Sequence, residues 1–109
     1  MKETLLIKHA VGGRTFIDTG KQPVEYRVES DGTSFQFTVK APPDRTMEEL
    51  LEWKQELNVF LFREFDDRPT AKIWFYVKDD SVHYDPEREL LIIEAQSSIE
   101  YVPDLFGGM

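Results

Sequence analysis

The chain has 109 residues, 21 acidic against 13 basic, giving a net charge of −8, and it has no cysteine. That length suits one domain with a modest core, and the missing cysteines exclude disulfides, thiolate metal sites and a cysteine nucleophile. The acidic balance argues against nucleic acid, whose binding needs basic surface to displace counterions, and the 8 Phe, 4 Tyr and 2 Trp argue for a folded globule.

The opening apolar run around Leu5-Leu6-Ile7 is too short for a secretory leader, and no stretch approaches the roughly 18 apolar residues of a membrane span. A cytoplasmic protein without a membrane partner is the expectation. Residues 4–8 and 14–18 read as two short strands joined by Gly12-Gly13, and Gly20-Lys21-Gln22-Pro23 then breaks the chain. Val24, Tyr26 and Val28 alternate with Glu25, Arg27 and Glu29. Asp31-Gly32 supplies a hairpin turn, and Phe35, Phe37 and Val39 alternate on the return.

Ala41-Pro42-Pro43-Asp44 stops that strand, and a helix follows, capped by Asp44 or Thr46, with Met47, Leu50, Leu51 and Leu57 along one stripe. Glu48, Glu52 and Glu56 line another face, as on an ordinary solvated helix. Two endings stay open: Asn58 closes the helix and Val59–Phe62 is a strand, or the helix runs to Phe65. The short helix is preferred, because β-branched and aromatic residues suit a strand.

Ala71 to Lys78 is a strand in which Ile73, Phe75 and Val77 alternate with Trp74 and Tyr76. The alternation makes Trp74 and Tyr76 a candidate surface pair, with core packing as the alternative. Ser81–Tyr84 is a short return strand, and Leu90-Leu91-Ile92-Ile93 is a buried one. Ser97-Ser98 lead into a last alternating piece that Pro103 closes.

Nothing here resembles a catalytic or metal site. His9 and His83 each stand alone on a strand, and Asp66-Asp67 and Asp79-Asp80 are turn residues without the alternating ligands of a calcium loop. No Gly-Lys-Ser/Thr follows Gly12-Gly13, so that pair is no phosphate loop.

The segment Tyr26–Val39 with its Gly32 turn, the prolines after it and the helix start Thr46-Met47-Glu48 together resemble the ubiquitin-like family. So does Ser98–Gly108, a last strand running into a diglycine. The resemblance implies an α+β fold: a β-grasp with a mixed sheet and one main helix. Residues 1–22 would be an added hairpin or arm, 23–103 the ubiquitin-like domain and 104–109 a flexible tail. Ile99 and Tyr101 would point inward and Val102 outward.

The family's chemistry would follow. A peptidase removes Met109, an activating enzyme uses ATP to adenylate the Gly108 carboxylate, and conjugating enzymes join it to an amine on a target protein. Gly107 has no side chain and would thread a narrow active site, with Leu105 and Phe106 guiding recognition of the tail. Trp74, Tyr76 and Val102 form the candidate partner patch. The protein would be a substrate rather than an enzyme, with no cofactor or metal of its own. Asp104 and Phe106 depart from the basic tail common in eukaryotic members, so the activating enzyme would need a less acidic groove.

Two other readings accompany this one. The first is an acidic, non-enzymatic binding protein, such as a toxin-immunity protein or a phage-type inhibitor mimicking nucleic acid. The second is a sulfur carrier of the same fold with a thiocarboxylate on Gly108.

Overall fold

Alternation of apolar and polar residues builds most of this molecule. The structure is a computed structural model and describes residues 1–102. Its strands are β1 (Lys2–His9), β2 (Thr15–Asp18), β3 (Tyr26–Asp31), β4 (Ser34–Lys40), β5 (Leu57–Glu64), β6 (Ala71–Val77), β7 (His83–Asp85) and β8 (Leu90–Tyr101), with one helix, α1 (Arg45–Glu52). They form a single sheet in the order β2-β1-β5-β6-β8-β4-β3, with β7 also paired to β8.

This corrects the α+β expectation. A mixed sheet needs a parallel pair, and every strand pair among the described residues is antiparallel. The sheet curls into a half-barrel around its own core, so the fold is mainly β and is not a ubiquitin-like β-grasp. β1 and β2 do form a hairpin, but β1 also pairs along its length with β5, from Lys2 opposite Glu64 to His9 opposite Leu57. Leu5 and Ile7 are fully buried.

Local chemistry explains the turns and the helix. Asp31 and Ser34 are paired across a two-residue loop in which Gly32 takes φ 66°, a conformation that strains any side chain. The Asp44 carboxylate accepts from the Met47 N–H at 2.9 Å, capping α1. Met47 and Leu50 enter the core, so α1 closes one end of the half-barrel where β4 leaves it and β5 begins. The helix is short, and Val59–Phe62 lies within β5.

β8 is the strand about which the sheet curls. Its first part, Leu90 to Ala95, pairs with β4, and its last part, Ala95 to Tyr101, pairs with β6. The second register slips: Tyr76 faces Ser97 but Val77 faces Ala95, leaving Gln96 as an extra residue. That bulge reverses the faces of everything beyond it. Leu91, Ile93 and Ala95 are buried, whereas Ile99 is 48% exposed on the outer face. The expectation that Ile99 points inward is therefore overturned by one inserted residue. The Tyr101 side chain, also expected inward, lies outside the described part of the structure.

Ala95 sits where β8 passes from β4 to β6, in register with both Phe35 and Val77. The Phe75 ring takes Phe35 at 5.0 Å and Phe37 at 4.8 Å, both edge-on, so β4 and β6 meet across β8. A larger residue at Ala95 would push these strands apart. Ala95→Leu is expected to lose about 1–3 kcal/mol by overpacking, read as a lower urea midpoint.

Candidate functional site

The registers of four strands place their outward residues in rows. Leu6 pairs with Phe60, Phe60 with Trp74, and Trp74 with Ile99, forming an unbroken apolar row across β1, β5, β6 and β8. Thr4, Phe62 and Lys72 form the next row. Tyr76 stands beside Trp74 with ring centroids 4.4 Å apart, and the Trp74 indole N–H approaches the Asn58 Oδ1 at 3.4 Å. The Lys72 ammonium lies 4.4 Å from the Phe60 ring centroid and 5.3 Å from that of Phe62.

No helix or strand of the described residues covers this face. Tyr76 is 42% exposed and Ile99 48%, and Leu6, Phe60, Phe62 and Trp74 are half-buried against one another. The sequence alone pointed to Trp74 and Tyr76, and the structure sets their rings side by side, tilted by 39°, on this outer face. Val102 is half-buried just past β8 and belongs to none of these rows. Sequence reasoning missed Leu6, Phe60, Phe62 and Ile99. Phe60 and Phe62 lie in an uninterrupted apolar run, and only the pairing with β6 shows which of its residues face outward.

Beyond the bulge, the same outer face turns acidic. Glu29 pairs with Gln36 and Gln36 with Glu94, so β3, β4 and β8 carry a polar row with carboxylates at both ends. The aromatic and acidic halves meet along β8.

The concave side has its own feature. Opposite the end closed by α1, the half-barrel opens as a depression of ≈ 340 Å³ lined by Val28, Phe35, Ile73 and Phe75 together with Arg63, Ser98 and Glu100. Beside it the two ends of the sheet are tied. The Tyr26 hydroxyl donates to Glu3 Oε1 at 2.7 Å, and Arg63 Nε donates to Glu3 Oε2 at 3.0 Å. Burial pushes the Tyr26 phenol well above its ordinary range, and the hydrogen bond to Glu3 reinforces that.

The tail residues Leu105, Phe106, Gly107, Gly108 and Met109, read above as the conjugating end, lie outside the described residues. Among the described residues, no group of three or more His, Cys, Asp or Glu is placed to hold a metal ion. No described helix is long and apolar enough to cross a membrane. Comparison of the chain with protein-family models, with curated proteins and with solved structures finds no match.

Proposed function

We propose that this is a non-enzymatic binding protein whose working surface is the outer face of β1, β5, β6 and β8. The observation that carries the reading is the row Leu6-Phe60-Trp74-Ile99, extended by Phe62 and Tyr76, standing uncovered on a sheet whose other face already holds the core. Exposed apolar patches of this kind mark interaction sites, and tryptophan and tyrosine are favoured as their energetic anchors. The adjoining Glu29-Gln36-Glu94 row and the net charge of −8 favour a partner that is itself a protein, with apolar side chains beside a basic edge. The proposal places the protein in the cytoplasm, where a chain without cysteines needs no oxidising surroundings.

The test uses Tyr76→Glu with Ile99→Glu, two changes at exposed positions outside the core. The partner is captured with the wild-type chain, identified by mass spectrometry, purified and titrated against both forms. The double variant is expected to keep the wild-type thermal midpoint within a few degrees and to bind at least about 100-fold more weakly. Equal binding by the two forms would sink the reading.

Conjugation through Gly108 is the second proposal, and it now has narrower support. It rested on the hairpin and helix order together with the diglycine; the sheet order removes the β-grasp, so Gly107-Gly108 carries it alone. Its test is intact mass after incubation with ATP and candidate activating enzymes and peptidases. Loss of Met109 followed by an adduct that needs Gly108 would establish it over the binding reading.

A further inference from the structure

We propose that the free edge of β3 takes up an extended segment of a basic partner protein, which adds to the sheet as one more strand and sets apolar side chains over the open mouth of the half-barrel. β3 ends the sheet and pairs with β4 alone. Two observations fix which of its backbone groups point away from β4. The Lys40 N–H donates to the Glu25 carbonyl at 2.8 Å, and Asp31 faces Ser34 across the two-residue turn. Bonded and unbonded pairs alternate along an antiparallel ladder. Glu25, Arg27, Glu29 and Asp31 are therefore bonded to β4, and Tyr26, Val28 and Ser30 turn their N–H and C=O groups outward. Tyr26 reaches Glu3 through its hydroxyl, not its backbone. No described strand lies beyond this edge, and a row of open backbone donors and acceptors is the template that strand addition uses.

The side chains along the edge select the partner. On the outer side Glu25, Glu29 and Asp31 are exposed beside Arg27, which already lies 3.9 Å from Glu29. Glu94 stands further in, on the row that Glu29 begins. On the concave side Val28 and Ser30 border the depression lined by Phe35, Ile73 and Phe75. Arg63 there is neutralised by Glu3, so Glu100 leaves the mouth negative. Both sides of the edge carry excess negative charge, and the net charge of −8 opposes pairing with a second copy. Successive residues of an added strand alternate between the two sides. The partner that fits is an extended segment of lysine or arginine alternating with apolar residues. Its cations lie opposite Glu29 and Asp31 and its apolar side chains beside Val28. This edge is separate from the aromatic outer face, and the proposal does not depend on that surface.

The probe is a capped peptide of lysine alternating with valine, about the length of β3, titrated into the full ¹⁵N-labelled chain by NMR. Its glutamate–valine counterpart is the control. In the free chain the Val28 and Ser30 amides are expected to exchange with solvent at least about tenfold faster than those of Arg27 and Glu29. The lysine peptide is expected to bind saturably at low salt, with a dissociation constant of about 1 mM or tighter, and to slow exchange at Val28 and Ser30 by about tenfold or more. The glutamate peptide is expected to bind at least about tenfold more weakly. Val28→Pro removes an outward N–H without taking a bond from β4, and is expected to abolish binding. Glu29→Lys is the second variant: it changes an exposed side chain, keeps every backbone bond and is expected to weaken the lysine peptide about tenfold. Equal binding of the two peptides, unchanged affinity in both variants, or shifts confined to other strands would each overturn the proposal. So would Val28 and Ser30 amides already protected in the free chain by self-association.

Discussion

Phe37→Ala is expected to lower the free energy of unfolding by about 3–5 kcal/mol. Phe37 is fully buried in the middle of β4, opposite Val28 on one side and Ile93 on the other. Its ring meets Phe75 edge-on at 4.8 Å, an arrangement worth about 0.5–1.5 kcal/mol beyond area burial. The larger loss comes from the cavity. Strands of one hydrogen-bonded sheet cannot close over a missing ring without breaking register, so the space is only partly recovered. A single domain is typically stable by about 5–15 kcal/mol, so this one change removes a large share. Urea unfolding at equilibrium reads it as a shifted midpoint with an unchanged slope. Phe37→Leu, which keeps most of the volume and loses the ring contact, is expected to cost less than half as much. A loss below about 1 kcal/mol for the alanine variant would show that β4 and β6 are joined elsewhere.

The contacts that Phe37 makes also show where sequence reasoning stops. The Asp44 cap, the Gly32 turn and the alternation of Ile73, Phe75 and Val77 are local, and each was legible because neighbours a few residues apart determine it. The sheet order was not. β1 and β5 pair across 47 to 61 intervening positions, from His9 with Leu57 to Lys2 with Glu64, and each strand's alternation is equally satisfied by many partners. A hairpin, a helix and further strands are the same local series in a β-grasp and in this half-barrel; only the pairings separate them.

The bulge at Gln96 has the same lesson at the scale of one residue. Ile99 and Glu100 alternate correctly, but the insertion exchanges their faces. Ile99 thereby completes the aromatic row outside, and Glu100 reaches the mouth inside. Two of the six residues of the candidate surface, Trp74 and Tyr76, were legible for a related reason. Trp74 and Tyr76 alternate with Ile73, Phe75 and Val77 and share their row with Lys72 and Lys78, which made them surface candidates with core packing as the alternative. Phe60 and Phe62 alternate with Val59 and Leu61, and hydropathy cannot rank two apolar faces. Their position follows from β6 lying beside β5, which places Phe60 opposite Trp74. The Tyr26–Glu3–Arg63 contact was illegible throughout, because its members come from β3, β1 and β5 and meet only when the sheet curls.

Removing that contact is expected to have the second-largest effect. Glu3→Ala should cost about 2–3 kcal/mol. Hydrogen bonds to a charged group are each worth about 1.5–3 kcal/mol, and Glu3 accepts two, from the Tyr26 hydroxyl at 2.7 Å and Arg63 Nε at 3.0 Å. The full sum is discounted because the Arg63 and Glu3 side chains are 37% and 26% exposed, so water screens the pair. A double-mutant cycle of Tyr26→Phe with Glu3→Gln isolates the phenol–carboxylate part, expected at about 1 kcal/mol of coupling.

The alkaline limb supplies an independent signature. Burial, the hydrogen bond to Glu3 and the nearby Glu3 charge all raise the Tyr26 phenol above its ordinary 10.0, while Arg63 opposes them. As pH rises through 10, the unfolded chain therefore releases this proton before the folded one does. The folded state then binds more protons, and stability falls with increasing pH. The contribution is fully present below pH 10 and is lost above it. Tyr84 is shifted the same way by burial, so Tyr26→Phe should flatten this decline without abolishing it. Stability measured by urea unfolding between pH 9 and 11 is expected to fall more steeply in the wild type than in Tyr26→Phe; parallel curves would show that the phenol does not tie β3 to β1. The same contact fixes the Arg63 guanidinium at the mouth.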